Sequence, residues 1–275
     1  MTKEYNYLIS LGSFFLLLLY ANNPIGIFDS GVGGITILNS IKEIMPNEDI
    51  IYFSDNLNSP YGQKSEEEIK NLSKKNSNWL LDRGCKIIVV ACNTATTNSI
   101  SFLRANLNVP FIGVEPAIKP AATNTKTGSI GVLATKGTLS SGLFNMTSND
   151  YCSEINIIET VGEGLVDLIE NGIFKGKKLE VLLYKFLKPM LNANIDHLVL
   201  GCTHYPLIIE SIKKIIPNNI KILDSGAAVA KQTKNILSQR SLLNNKKESN
   251  SEFYCNSTNT TLKKILGTKY QIETI

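Results

Sequence analysis

The feature that most constrains this chain is a regular alternation, from Pro24 onward, of short apolar runs with stretches of helical periodicity. Short runs rich in β-branched and aromatic residues, closed by turn residues, read as buried strands. Apolar residues recurring every three or four positions read as helices packed against them. Strands are expected at Ile25–Phe28, Ile50–Phe53, Lys86–Val90 and Val109–Val114. Helices are expected at Gly34–Met45, from a capping box of Ser65 and Glu68 to about Gly84, and at Thr94–Leu107. Such alternation implies a parallel sheet covered by helices on both faces.

The pattern then starts again. Ser129–Leu133, Ile155–Ile158, His197–Leu200 and Ile220–Leu223 read as strands, with helices at Gly164–Glu170, Leu179–Leu191 and Pro206–Ile216. Pro24-Ile-Gly-Ile-Phe-Asp-Ser is echoed by Ser129-Ile-Gly-Val-Leu-Ala-Thr, and Ile87-Ile-Val-Val-Ala-Cys-Asn-Thr by His197-Leu-Val-Leu-Gly-Cys-Thr-His. Ile222-Leu-Asp-Ser-Gly repeats Ile27-Phe-Asp-Ser-Gly. Matches in the same order at similar offsets indicate two similar halves. The polar stretch Ser238–Ser251 reads as a flexible surface loop, and a strand at Phe253–Cys255 and a short helix at Leu262–Leu266 close the chain.

A length of 275 residues suits two modest domains, and a content of 43% hydrophobic against 19% charged residues excludes global disorder. The net charge of +4 is scattered, with no basic stripe interleaved with aromatics, so nucleic acid is not an expected partner. The five cysteines are odd in number and form no C-x-x-C pair, which argues against a disulfide framework or a zinc site and for a reducing, cytoplasmic setting. From Leu8 to Ala21 the chain is apolar and uncharged, but short for a membrane span. Glu4 and the bulky Leu19-Tyr20-Ala21 fit a signal peptide poorly. Residues 1–23 are read as an appended extension, with a membrane anchor as the competing reading; membrane contact is expected only in the second case.

In open α/β sheets ligands bind beyond the carboxyl ends of the strands, where Asp29, Cys92, Cys202 and Asp224 stand. Either cysteine alone is equally well explained as a small buried hydrophobe. As a matched pair, each between a strand end and polar residues opening a helix, they point to chemistry. The helix dipole favours thiolate, a base, and the thiol is an acid. Inverting a carbon centre needs a proton removed from one face and another returned to the opposite face, which two facing thiols can do. Asp29-Ser30-Gly31-Val32-Gly33-Gly34 lacks the full dinucleotide spacing and any Walker lysine. Its glycines instead let backbone N–H groups approach a carboxylate, with Ser30 as a further donor. Asp29 can hold a substrate ammonium, assist the nearby thiol and cap the helix. His204 is placed to relay the proton of Cys202, whereas His197 reads as structural. Pro60-Tyr61-Gly62 is a turn able to carry binding groups. Cys85, Cys152 and Cys255 lack the strand-end setting. Neither a Schiff-base lysine motif nor a metal-ligand cluster is apparent in the sequence.

At Gly26-Ile-Phe-Asp-Ser-Gly-Val-Gly-Gly, Ser59-Pro-Tyr-Gly, Ala91-Cys-Asn-Thr-Ala, Gly201-Cys-Thr-His-Tyr-Pro-Leu and Leu223-Asp-Ser-Gly the chain resembles the glutamate racemases of the aspartate/glutamate racemase superfamily. The resemblance covers nearly everything from Pro24 onward. It implies a cofactor-independent isomerase that supplies D-glutamate for peptidoglycan. It implies two pseudo-symmetric, flavodoxin-like α/β domains with the active site between them: residues 24–114 plus 225–275, and 115–224. Mapped by motif, Cys92 and Cys202 exchange the α-proton, and Asp29 and His204 assist them. Asp29, Ser30, Tyr61, Gly62, Asn93, Thr94, Thr203 and His204 bind glutamate. Glu170 corresponds to the family glutamate that supports the histidine, although Val161-Gly-Glu-Gly stands where many members carry Cys-Pro before that helix. Alternatives are racemisation of aspartate or another amino acid, and a regulator that binds without turnover. Whether the chain pairs as a homodimer is left open.

Overall fold

The structure, a computed structural model, describes residues 20–151, 155–244, 246–258 and 260–275. Its strands are β1 (Ile25–Asp29), β2 (Ile50–Ser54), β3 (Ile87–Val90), β4 (Phe111–Gly113), β5 (Ser129–Ala134), β6 (Asn156–Val161), β7 (His197–Gly201), β8 (Lys221–Leu223), β9 (Ser251–Cys255) and β10 (Ile272–Thr274). The helices are α1 (Ile35–Ile44), α2 (Glu66–Leu81), α3 (Asn93–Asn106), α4 (Ile118–Asn124), α5 (Lys136–Leu139), α6 (Gly142–Tyr151), α7 (Leu165–Glu170), α8 (Lys177–Asn192), α9 (Ile209–Lys213), α10 (Gly226–Gln239) and α11 (Thr260–Leu266). Two parallel sheets result, ordered β10-β9-β2-β1-β3-β4 and β6-β5-β7-β8. The β2-β1-β3-β4 part of the first sheet has the strand order of the whole second sheet, so the sequence repeat is a structural one.

Alternating side chains of the buried strands supply both faces of the first sheet. Ile25, Ile27, Ile87 and Val89 pack with Ile35 and Leu38 of α1 and Val229 and Ala230 of α10. Phe28, Ile88 and Val90 pack on the other face with Ile69 and Leu80 of α2 and Ile100 and Leu103 of α3. In the second sheet, Ile130, Val132 and Val199 meet Ile118 of α4 and Phe144 of α6. Leu198 and Leu200 meet Leu183, Leu187 and Met190 of α8, in a core continuous with that of the first sheet.

Several elements differ from the sequence reading. α10 is a helix that the apolar periodicity does not announce, and β10 extends the sheet beyond the expected closing strand. The expected helix Pro206–Ile216 breaks into a 3-10 turn at Tyr205–Ile208 followed by α9. The polar stretch expected as a flexible loop is pinned beneath the first sheet: Asn244 N donates to Glu48 Oε1 at 2.8 Å and Asn250 N to Asp49 Oδ1 at 2.7 Å, and Lys246 Nζ lies 2.7 Å from Asp49 Oδ2. At the same end, Lys86 is fully buried and donates to Glu48 Oε2 at 2.5 Å and to the carbonyl of Ala21 at 2.6 Å.

Among the described residues no helix is long and apolar enough to cross a membrane. Cys152 and the apolar segment as far as Leu19 lie outside the described residues.

Candidate active site

In each sheet the first strand of the repeat sits between two partners, and the chain direction of the crossovers reverses there: β1 between β2 and β3, β5 between β6 and β7. That reversal opens a crevice at the carboxyl ends of the strands. β1 and β3 deliver Asp29-Ser30 and Cys92 to one such point. β5 and β7 deliver Thr135 and Cys202 to the other.

Cys92 is the N-cap of α3, and its Sγ accepts from Ala95 N at 3.4 Å and lies 3.5 Å from Ser30 Oγ. Burial, at 5% exposure, pushes the thiol up; the charge of Asp29 adds to this, while the donors Ser30 and Ala95 pull the other way. Cys92 therefore rests as a thiol and needs a base to give up its proton. Asp29, fully buried, lies near enough for its charge to act on that thiol. Burial raises its carboxyl to about 7, against the opposing pull of the His204 charge and of its bond from Gly31 N at 2.7 Å.

Cys202 follows β7, and His204 Nδ1 lies 3.7 Å from its Sγ. The other ring nitrogen, Nε2, lies 2.5 Å from Glu170 Oε1, which also accepts from Val32 N at 2.8 Å. Burial alone would lower His204, but its bonds to Cys202 and Glu170 outweigh it and hold the imidazolium well above the ordinary range. Glu170 ends α7, whose first turn starts from Gly164 in a left-handed conformation, φ 75°, so the Gly162-Glu163-Gly164 sequence accommodates the turn. The glycines of the β1 loop admit this neighbour: a Cβ at Gly31 would run into the Glu170 carboxylate, and one at Gly33 into the His204 ring.

The remaining sequence candidates have mixed surroundings. Thr203 Oγ1 donates to Asp29 Oδ2 at 3.0 Å, joining the two cysteine loops across the crevice. Asn93 spends one amide hydrogen on the carbonyl of Val114, at 3.1 Å. Tyr61 is buried, its phenol donating to Asp55 Oδ2 and accepting from Asn76 Nδ2 at 3.1 Å, while Gly62 beside it faces Thr135 of the second half. Thr94 Oγ1 lies 2.7 Å from Thr135 Oγ1 and 3.2 Å from Thr138 Oγ1. Asp224 is exposed and accepts from Gly226 N at 2.8 Å, a turn role. His197 pairs with Asp196 at 2.7 Å, remote from the cysteines and structural.

Sequence reasoning missed Thr135, Thr138 and Asp55. The repeat carried a signal for Thr135, because it aligns with Ser30. Among the described residues no cluster of side chains suited to a metal ion occurs. The void touched by Cys202, Asn93 and Thr203 measures about 10 Å³, room for roughly one water. A cleft of about 740 Å³ runs along the line of contact of the two halves, past Gly62, Thr135 and Gly162.

The family described as Asp/Glu/Hydantoin racemase matches residues 33–233. The glutamate racemase of Herpetosiphon aurantiacus is 44% identical over 223 residues, 81% of this chain and 88% of that protein. The crystal structure of the Francisella tularensis glutamate racemase with D-glutamate superposes with a TM-score of 0.81 at 32% identity, over 93% of this chain and 97% of that one. That of the Escherichia coli glutamate racemase, with L-glutamate and the activator UDP-MurNAc-ala, also gives 0.81 at 32% identity, over 92% and 98%.

Proposed function

The chain belongs to the glutamate racemases, isomerases of the Asp/Glu/hydantoin racemase family, and from that premise we propose that it inverts the α-carbon of glutamate with Cys92 and Cys202 as the two acid–base groups. The observation that carries the proposal is the Thr203–Asp29 hydrogen bond, because it ties the loop behind one cysteine to the loop beside the other. Residues 24–114 with 225–275 form one domain and 115–224 the other, and glutamate lies between them.

In one direction Asp29 takes the proton of Cys92, and the thiolate removes the α-proton. Cys202, backed by His204 and Glu170, returns a proton to the opposite face. In the other direction the roles exchange. Backbone N–H groups and hydroxyls of Ser30, Gly62, Asn93, Thr94 and Thr203 hold the carboxylates and stabilise the charge that builds on the reacting one. No step requires a cofactor, and every residue named lies on one chain. The reaction is assigned to the cytoplasm, where thiols stay reduced, and its product, D-glutamate, to peptidoglycan synthesis.

The test is isotope exchange. Purified protein in deuterium oxide, without added cofactor, is expected to racemise glutamate and to place solvent deuterium at the α-position. Cys92→Ser and Cys202→Ser each abolish racemisation. Full turnover in either variant sinks the two-thiol mechanism.

A further inference from the structure

Tyr52 lies on β2, fully buried, and no step of the proton transfer uses it. A buried phenol needs a hydrogen-bond partner, and this one donates to the carbonyl of Gly31 at 2.7 Å. Burial first, then the charges of Asp29, Glu170 and Cys92, push the phenol well above its ordinary range, so it stays a neutral donor. Its ring is held by that of Phe253, 6.1 Å away between centroids. It is held also by the close approach of Gly34, where a Cβ would lie 3.1 Å from Tyr52 Cε2. A hydroxyl on a ring confined in this way has little freedom to point elsewhere.

The carbonyl of Gly31 and the N–H of Val32 belong to one planar peptide unit. That N–H donates to Glu170 Oε1 at 2.8 Å, and the same oxygen lies 2.5 Å from His204 Nε2. The N–H of Gly31 itself donates to Asp29 Oδ1 at 2.7 Å. Two successive N–H groups thus serve the two carboxylates assigned to the two thiols. Fixing a peptide oxygen fixes the direction of the N–H across the plane, and a donor on the oxygen strengthens that N–H as a donor in turn. We propose that Tyr52 is a positioning residue for both ends of the proton transfer: its hydroxyl sets the Gly31–Val32 peptide so that the β1 loop presents one N–H to Asp29 and the next to Glu170. Tyr52 acts only through that loop and contributes no proton of its own to the reaction. The catalytic consequence rests on the two-thiol reading; the chain of hydrogen bonds does not.

Tyr52→Phe keeps the ring and removes the hydroxyl. In the nitrogen–proton correlation spectrum of the full chain, the Val32 amide of this variant is expected to move upfield, as a weakened hydrogen bond requires. The amide of Val132, inside the second sheet, should stay in place. Racemisation per folded molecule should fall about tenfold at saturating glutamate in both directions, the effect of one hydrogen bond lost behind the reacting groups. KM should stay within about twofold, because the groups assigned to bind glutamate are retained. The rise of the rate as Asp29 ionises, near pH 7, should shift upward by roughly half a unit or more. A loosened Gly31 N–H leaves burial and the Glu170 charge raising that carboxyl against only the His204 charge and the Thr203 hydroxyl. Phe253→Leu, which frees the same ring from its aromatic neighbour, should lower the urea midpoint but keep turnover per folded molecule and the pH profile of the parent. A parental Val32 amide in Tyr52→Phe overturns the chain of hydrogen bonds. A moved amide with parental kcat and pH profile overturns the positioning role, as does an equal shift of the profile in Phe253→Leu. Absence of racemisation by the unaltered protein would instead sink the two-thiol reading and the catalytic role with it, and the Val32 amide would still decide the hydrogen bonds.

Discussion

Asp29 is held in a condition that favours function over stability. Burial first, opposed by the His204 charge and the Gly31 and Thr203 donors, puts its carboxyl near 7, above the ordinary 3.8. Below about pH 4 the group is protonated in both folded and unfolded chains and contributes nothing to the pH dependence. Between that value and about 7 the unfolded chain ionises while the folded one keeps its proton, so stability falls as pH rises, by a total of about 4 kcal/mol. An asparagine at this position carries no charge to desolvate. Asp29→Asn is therefore expected to be more resistant to urea than the parent at pH 8, with the advantage shrinking toward pH 5. It should also lose about a hundredfold in the direction in which Cys92 gives up its proton. In the parent, the rate in that direction rises through pH 7 as Asp29 ionises. A variant equally stable at both pH values, or fully active, contradicts this account of the residue.

The strands separate the site from the group that anchors their other ends. Lys86 stands immediately before β3, while Cys92 follows it, so the buried Lys86–Glu48 pair belongs to the end remote from the chemistry. Lys86→Met leaves the Glu48 carboxylate, 2% exposed, without its cation, at an expected loss of about 3–5 kcal/mol. Adding Glu48→Leu should recover only part of that loss, because it removes the unpaired charge but leaves Asn244 N, like the Ala21 carbonyl, without its partner. Denaturant midpoints read both effects, and kcat per folded molecule should stay constant; a fall in kcat would mean that strain reaches Cys92. β1, β3 and β7 were legible in the sequence because both of their faces are buried, which leaves uninterrupted apolar runs. α10 was not. Its buried face includes Gly226, Ala230 and Thr233, small or polar residues suited to close approach to α1, where Gly226 faces Ser40. A face built for proximity mutes the apolar period that announces a helix. Cys92 and Cys202 stood out through strand ends and repetition. Thr138 meets Thr94 and Asp55 meets Asn76 and Asn256 once distant segments come together, so single hydroxyls and carboxylates gave no sign of them.

On the proposed reading the whole molecule is a closed pair of halves that opens to admit glutamate. The chain crosses between them near Glu115 and Ser225, and Ser225 Oγ donates to the carbonyl of Glu115, so the two crossings are tied as one hinge. On the far side, Thr94 meets Thr135 and Thr138, and Asn98 Nδ2 donates to the carbonyl of Gly137 at 2.9 Å. Gly62 fits this seam because it has no side chain: a Cβ there would lie 2.8 Å from Thr135 Cβ. Gly62→Val therefore wedges the halves apart without entering either core. Its urea midpoint is expected to stay within about 1 kcal/mol of the parent, as for substitutions outside a core. Its kcat should fall by about a hundredfold or more, because a gap of about 1 Å between reacting groups suffices for that. Amide exchange at Thr94 and Asn98 should quicken as the seam loosens, and the radius of gyration in glutamate-saturated solution should exceed that of the parent. Parental kcat together with parental exchange at the seam would show that closure along Gly62 and Thr135 is no part of the catalytic cycle. Slow turnover with an unchanged seam would assign Gly62 to substrate contact alone. The pairing of lost turnover with a loosened seam is what requires the halves to close around glutamate before either sulfur can act.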